Sequence, residues 1–509
     1  MLLRTTVLLA FVLRCHRLGE VSYWFDESFC WKMTTFSWGD LVGRVALDNH
    51  PPLYFIILKA WIGAFGSSPI VLRGLSVLSG LATIVGGYCL VSQLERDRRP
   101  DRPQSAQITG LLAAAGLALA PMQIEWSQQL RMYAPGAALS VWSSYALVRA
   151  LGTSTRPGSN WALYVVTAAA LSYIHYFGLL VIAAQFLYSV GVCLFGKSPG
   201  TRSGENLSRA AISFLIIGMI WSPWLPEFLA HRQQVTRSFW TRPLELQNLV
   251  TACFQMWAGT WSEWHPEDRV AWIVAGISVA TWTVQLAFGS GQRLLAIVPL
   301  TTFALAPIAS LLGRHIVSAR YFLFAQTLAV CALAAATQRL PTGWLKGLAA
   351  GVMLVGFSWL SVSVVERRDR WAARPGFQSA VAYIEEFRKP GEPIFVSNPM
   401  VQITTAAYVE PGAEVYVLSS STNFPYFQGT AVMRESEYVT PASVAEWPSE
   451  RIWTIDTVNW TGGTSRVALP RPWIDLREEA FYDWYRPGSQ LVVKECARPR
   501  QASSPPRQE

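Results

Sequence analysis

Apolar stretches close to the length of a membrane span recur along most of this 509-residue chain, and nothing else in it restricts the fold so tightly. A helix that crosses a bilayer needs about 20 mostly apolar residues, and in lipid only a helix or a closed barrel satisfies its own backbone. Eleven stretches qualify: 2–17, 70–92, 107–123, 132–148, 161–175, 176–196, 210–226, 270–288, 294–312, 321–338 and 347–365. Their composition is helical rather than alternating, so the expectation is an all-α polytopic membrane protein. Bulk composition agrees, with 51% hydrophobic and 15% charged residues, a mean hydropathy of +0.25, and 23 Trp and 24 Phe. Amphipathic aromatics suit membrane interfaces.

The net charge of +9 does not point to nucleic acid. The basic residues fall largely in short loops between apolar runs, where they anchor to anionic headgroups of the membrane lipids. With the N-terminus inside, the inner loops are about twice as rich in Lys and Arg as the outer ones, which fits the positive-inside bias. Arg96-Asp97-Arg98-Arg99-Pro100-Asp101-Arg102 carries most of that signal. The run from Thr5 to Leu13 is followed by Arg14, Cys15, His16 and Arg17 rather than by small residues, so it reads as an uncleaved span instead of a signal peptide. The seven cysteines are scattered without a CxxC pair and read as small apolar residues.

After Glu366 the charges return and no long apolar run follows. Phe377, Val381, Ile384 and Phe387 have helical spacing, ended by Pro390-Gly391. Residues 394–397, 415–418, 452–456 and 491–494 read as strands. The expected organisation is a transmembrane domain over 1–365, a C-terminal extracytoplasmic α/β domain over 366–497, and a disordered tail over 498–509. The first outer loop, 18–69, belongs to the membrane domain, with the 14-residue segment 52–65 lying in the interface as an amphipathic helix and Lys59 snorkelling to the headgroups.

Chemistry gathers in that loop. Asp26 and Glu27 closely follow a span, among Tyr23, Trp24, Phe25 and Phe29. Carboxylates are costly at an apolar interface unless paired or used, and a desolvated one suits a general base. A solvated loop start would account for any isolated Asp-Glu pair. Asp48-Asn49-His50-Pro51-Pro52 has the form of a helix start, with Asp48 or Asn49 as the cap, and its free N–H groups would favour a phosphate near His50. Arg131, followed by Tyr133, and Arg320, followed by Tyr321, sit at outer span mouths. They serve either as interfacial anchors or as a phosphate clamp, since guanidinium forks match phosphate oxygens. Arg73 is a further possible clamp; His175 and Tyr176 occupy another outer turn, and Arg232, Arg237 and Arg242 lie in an outer loop. No ligand set marks a metal site, although Asp26, Glu27 and Asp48 would hold a divalent cation if they converged. The sequons at Asn206 and Asn459 carry no weight.

The run from Leu13-Arg14 to Leu18-Gly19, Trp24, Asp26-Glu27, His50-Pro51-Pro52-Leu53-Tyr54, Trp61, Phe65-Gly66 and Arg73 resembles the N-terminal signature of GT-C fold glycosyltransferases. The branch it most resembles holds the protein O-mannosyltransferases and aminoarabinose-transferase-like bacterial membrane proteins. The resemblance implies transfer of a sugar from a polyprenyl-phosphate donor to a lipid, glycan or protein acceptor outside the cytoplasm, at a bacterial inner membrane. It implies that Asp26 is the catalytic acid of the loop, assisted by Glu27, and that Arg131 and Arg320 contact phosphate. Some relatives carry Lys near the Pro-Pro step, where this chain has His50. A transporter or flippase, a lipid-linked glycan polymerase or ligase, and a sensor anchored by its spans are the competing readings. The spans are mostly bare of charge, which speaks against the transporter.

Overall fold

The computed structural model describes residues 1–152, 157–195, 203–237, 245–261, 269–289, 291–311, 316–410, 412–460 and 463–499. The helices, in chain order, are α1 (Leu2–Cys15), α2 (Phe25–Met33), α3 (Trp38–Ala46), α4 (Leu53–Phe65), α5 (Pro69–Arg98), α6 (Pro103–Leu119), α7 (Pro121–Ser127), α8 (Tyr133–Leu151), α9 (Pro157–Ile174), α10 (Phe177–Phe195), α11 (Ser203–Trp221), α12 (Leu225–Arg237), α13 (Leu246–Ala258), α14 (Arg269–Phe288), α15 (Leu294–Leu311), α16 (Leu323–Thr337), α17 (Gly343–Ala372), α18 (Gly376–Phe387), α19 (Pro399–Ala406) and α20 (Pro441–Ala445). The strands are β1 (Ile394–Val396), β2 (Val415–Leu418), β3 (Tyr438–Val439), β4 (Arg451–Val458), β5 (Ile474–Tyr482) and β6 (Gln490–Ala497). They form two compact units. One comprises Met1–Leu18 with Leu41–Glu366, the other Gly19–Asp40 with Arg367–Glu509.

The helical unit is an integral-membrane bundle. Among the described residues seven helices are long and apolar enough to cross a membrane, or eight if the bent pair α6 and α7 counts as one span. The eleven expected from sequence are therefore not all supported. α1 has only 14 residues, and α8 and α9 fall short by the same measure of length and apolarity. α8 shows why such counting misleads. Most of its residues are buried, and Ser140, Ser143 and Ser144 bond inside the bundle, so it has little lipid-facing surface to keep apolar. α16 is buried along nearly its whole length and packs against α6, α8 and α15. Close approach depends on small residues. A side chain at Gly136 would overlap the Phe324 ring across the α8–α16 contact.

The α6–α7 pair bends by 60° at Ala120-Pro121, where a proline cannot continue the hydrogen-bond ladder. Arg14 of α1 is completely buried at this break. Its guanidinium donates to the Leu117 carbonyl at 3.1 Å, the Ala118 carbonyl at 3.1 Å and Ser127 Oγ at 3.2 Å. It thus supplies a cation and donors to the carbonyl end of α6, which the helix itself leaves unsatisfied. At the far end of α5, Glu95 accepts from Arg98 (2.6 and 2.8 Å) and from Gln292 (2.8 Å), and Gln292 accepts from Arg339 (2.8 Å). This polar knot ties three chain turns together at one face of the bundle.

The second unit carries one mixed sheet in the order β3-β2-β1-β4-β6-β5. β1, β2, β3 and β4 run parallel, while β6 lies antiparallel between β4 and β5. Phe395, Leu418, Val444, Ile452 and Trp473 bury one face of it. The four strands read from sequence are present. β5 and α19 were not foreseen: β5 is exposed along almost its full length, so its Asp475, Glu478 and Glu479 hide any alternation. Residues 19–40 are a second correction, since they group with this unit. Tyr23 stacks on Tyr408 with ring centroids 5.4 Å apart, and Trp24 stacks on Tyr485 at 5.8 Å. Burial of those aromatics draws the segment across the linear boundary. All seven cysteines are free thiols.

Candidate active site

The turn before α4 is the first element of the site. The sequence suggests that Asp48 or Asn49 caps this helix, but its N-cap is Pro52, with no side-chain cap. Asp48 is occupied instead by His50, whose Nδ1 lies 2.7 Å from Asp48 Oδ2. Burial alone would raise the Asp48 carboxyl; His50, the Asn49 N–H and the charge of Arg131 hold it below the usual carboxylate range. Arg131 Nη2 stands 3.5 Å from His50 Nε2. A guanidinium has no acceptor, so in this contact Nε2 accepts and Nδ1–H donates to Asp48. The three residues thus form a relay, Arg131 to His50 to Asp48, with fixed polarity.

Arg131 lies in the segment between α7 and α8, and its carbonyl accepts from Ser76 of α5 at 3.4 Å. Its guanidinium is 5.7 Å from the Tyr133 ring centroid. Arg320 sits in a short 3-10 turn, Ala319–Phe322, ahead of α16, and stands 5.5 Å from the Tyr321 ring centroid. His175 occupies the two-residue break between α9 and α10 and joins these parts. Its ring lies 6.0 Å from His50, 5.5 Å from Tyr133 and 5.2 Å from Tyr321. His50, Arg131 and Arg320 are all near enough for their charges to act on it. Nδ1 of His175 accepts the Phe177 N–H at 3.1 Å, which leaves Nε2–H as the donor of the neutral ring.

Asp48, His50, Arg131, Tyr133, His175, Arg320 and Tyr321 therefore share one neighbourhood, contributed by four chain segments. The helices account for this. α5, α8, α10 and α16 start at this face and α9 ends at it, whereas the Glu95 knot marks the opposite face. Beside the cluster is a cavity of about 330 Å³, whose wall combines His50, His175 and Tyr321 with apolar Phe177, Phe228, Val235 and Ile316. Tyr176 and His231 also line it, joined by a 2.7 Å hydrogen bond. Trp224 donates to Tyr176 Oη at 3.0 Å, and His231 Nε2 lies 2.9 Å from the Ala46 carbonyl, so α12 is fastened to the chain just ahead of Asp48. Arg232 lines this cavity too, Arg237 is exposed at the end of α12, and Arg242 lies outside the described residues. Arg73 is buried on α5 and donates to the Leu18 carbonyl at 2.7 Å, a bond that ties α5 to the end of the N-terminal segment.

Asp26 and Glu27 lie in the first turn of α2, within the second unit. A helix N-terminus favours carboxylates there. Glu27 is completely buried and Asp26 is half-buried. Among the described residues no three His, Cys, Asp or Glu side chains gather as a cation site.

Sequence reasoning missed His231 and Glu125. Glu125 is buried on α7 and accepts the Thr260 N–H at 2.6 Å, while Trp126 Nε1 donates to Thr260 Oγ1 at 2.9 Å. Its signal was present in Pro121, which breaks the apolar run and turns Glu125 inward. His231 carried none, because its partners Tyr176 and Ala46 are 55 and 185 residues away.

No protein-family model matches this sequence, and no curated protein matches it. Solved structures do. The chain is similar to ArnT from Cupriavidus metallidurans, both in the apo state and bound to undecaprenyl phosphate, with a TM-score of 0.63, 12% identity and 97% of each chain covered. A weaker likeness, with a TM-score of 0.48 and 11% identity, links it to the oligosaccharyltransferase AglB from Archaeoglobus fulgidus over 80% of this chain and 64% of that one. The fold is that of the GT-C membrane glycosyltransferases: a helical membrane bundle followed by a small sheet domain.

Proposed function

We propose that this chain is an integral-membrane glycosyltransferase that moves a sugar from a polyprenyl-phosphate donor to an acceptor, with Asp26 as general base. One observation carries the reading. Arg131 and Arg320, on distant segments, both lie near enough to His175 for their charges to act on it, and Arg131 also reaches His50 of the His50–Asp48 pair, beside a largely apolar cavity. Two guanidiniums suit a phosphate, and apolar walls suit the isoprenoid chain that bears it. The likeness to ArnT, seen with undecaprenyl phosphate bound, supports the same chemistry. The richer basic content of the loops at the opposite face favours an extracytoplasmic site at a bacterial inner membrane.

In this reading an acceptor hydroxyl or amine attacks the anomeric carbon. Its proton passes to Asp26, with Glu27 assisting. The bond from the anomeric carbon to the phosphate oxygen breaks, and polyprenyl phosphate leaves as an anion stabilised by Arg131 and Arg320. His50, oriented by Asp48, and His175 line the phosphate region, with Tyr133 and Tyr321 beneath the guanidiniums.

The test is transfer by the purified protein, supplied with a panel of undecaprenyl-phosphate-linked pentoses and hexoses and with membrane extract as acceptor. Asp26→Asn is expected to lower transfer by at least about 10²-fold, the ordinary scale of general-base catalysis, at unchanged yield of folded protein. Full activity in that variant would overturn the assignment. Arg131→Ala and Arg320→Ala are each expected to weaken undecaprenyl phosphate binding about tenfold, the loss of one charged hydrogen bond. Unchanged affinity in both would remove the clamp. Lipid translocation without sugar transfer would favour a flippase.

A further inference from the structure

The segment that carries the acidic pair is built into the C-terminal α/β unit at its entrance, middle and exit. At the entrance, the Tyr23 N–H donates to Tyr408 Oη, and Trp484 Nε1 donates to the Ser22 carbonyl at 2.9 Å. A side chain at Gly429, where φ is +85°, would meet Ile403 Cδ1 at 2.6 Å and Phe25 Cζ at 3.1 Å, so Phe25 sits in a slot that only glycine leaves open. At the exit, Arg434 reaches Thr35 Oγ1 at 3.4 Å, and its guanidinium covers the Phe36 ring at 4.7 Å.

The middle is held by Lys32. Lys32 is 2% exposed, and its ammonium donates to Gln402 Oε1 at 2.6 Å and Glu437 Oε1 at 2.8 Å. Gln402 is itself fixed by its bond to the Val415 carbonyl of β2, and Glu437 by accepting the Arg434 N–H at 2.7 Å. The ammonium is thus tied through two oriented partners to the sheet. An apolar contact would bury the helix more cheaply than a paired charge. What the directional bonds add is a fixed rotation and register.

Helix geometry shows what that rotation sets. α2 has nine residues, too few to be stable alone. Lys32 follows Asp26 by six positions, which places the two side chains roughly 120° apart around the helix. Seating Lys32 in the α/β unit fixes where Asp26 stands around the helix, with Lys32 buried and Asp26 half-buried about a third of a turn away. Misplacement of a reacting group by about 1 Å can cost on the order of 10²-fold in rate.

We propose that the C-terminal α/β unit is the seat of the catalytic helix, and that Lys32, held by Glu437 and Gln402, is the positioning residue that orients Asp26. This rests on Asp26 being the base. It gives the α/β unit a part in catalysis that needs no ligand of its own.

The experiment compares the full-length wild type with Lys32→Met, Glu437→Gln, Lys32→Met/Glu437→Met and Asp26→Asn. Transfer from an undecaprenyl-phosphate-linked sugar and hydrogen exchange of residues 24–33 are both measured. Lys32→Met is expected to lower kcat at least tenfold with the donor KM within twofold, and to speed exchange across α2 while exchange in β1 and β4 stays unchanged. Glu437→Gln, which keeps an acceptor, is expected to lose less. The double variant is expected to be no worse than Lys32→Met alone, because both remove the same contact. Wild-type kcat and exchange in Lys32→Met would overturn the seat while leaving the base reading intact. Loss of protection in β1 and β4 as well, in Lys32→Met and Glu437→Gln alike, would show the contact to be a general fold determinant, which also overturns it. Full activity of Asp26→Asn would remove the base and the orienting role together, and the exchange data would still report whether Lys32 orders α2.

Discussion

Asp483 is a carboxyl that the fold buries almost completely, 3% exposed, directly beneath Gly376. Burial pushes it up to about 6, although the Tyr485 N–H and Trp460 oppose the rise. The folded chain therefore holds this proton between about pH 4 and 6, where the unfolded chain has released it. Its contribution to stability is present below pH 4 and lost as pH rises through 6, a difference on the order of 3 kcal/mol. Asp483→Asn, which keeps an acceptor for the Tyr485 N–H without a charge, is expected to raise the unfolding temperature of the α/β unit at pH 7.5 and to leave it nearly unchanged at pH 4. Tryptophan fluorescence through Trp460 and Trp484 would follow the transition. A variant with the same pH dependence as wild type would contradict the burial argument. Nothing in the sequence marks this residue, since a lone Asp in Tyr482-Asp483-Trp484 looks like any surface carboxylate. Arg131 and Arg320 were legible because each stands at the end of a long apolar run, where a charge has few other reasons to occur. The bond between His50 and Asp48 was not, because two residues of spacing in a proline-rich turn suit a cap equally well.

At the level of elements, the membrane helices were legible wherever lipid imposes its own composition, as in α5, α10, α15 and α17. Where helices surround a helix, that demand lapses. α8 could be recognised as a helix, but its apolarity does not decide whether it crosses. The α6–α7 break is the clearest case of an element made by its neighbours, and close packing holds it. A side chain at Gly80 of α5 would overlap Ser127 Oγ and come within 3.0 Å of Arg14 Nε. Gly80→Ala is therefore expected to destabilise the bundle by about 1–3 kcal/mol, the usual cost of overpacking. Thermal unfolding in detergent would measure it. An unchanged transition would mean that α5 and α7 separate freely at this point. In the α/β unit, the parallel strands β1 and β4 announced themselves as short apolar runs. β5 did not, because an edge strand exposed on both faces carries no pattern to read.

On the scale of the molecule, the linear order of the chain is a poor guide to its units. The sequence puts a boundary near Glu366, where composition changes, and the longer piece of the second unit begins at Arg367. The other piece of the unit, Gly19–Asp40, is separated from it by the whole membrane bundle, and its partners Gln402 and Glu437 are 370 and 405 positions away from Lys32. No local periodicity encodes such pairings. The same distance sets an order on biosynthesis through Arg14. The carbonyls of Leu117 and Ala118 follow it by 103 and 104 residues. At elongation rates of about 5–20 residues per second, α1 waits roughly 5–20 s with its arginine lacking the α6 carbonyls. For that interval the first helix is poorly suited to leave the insertion machinery for lipid, and its release is timed by the arrival of the broken helix that will receive it.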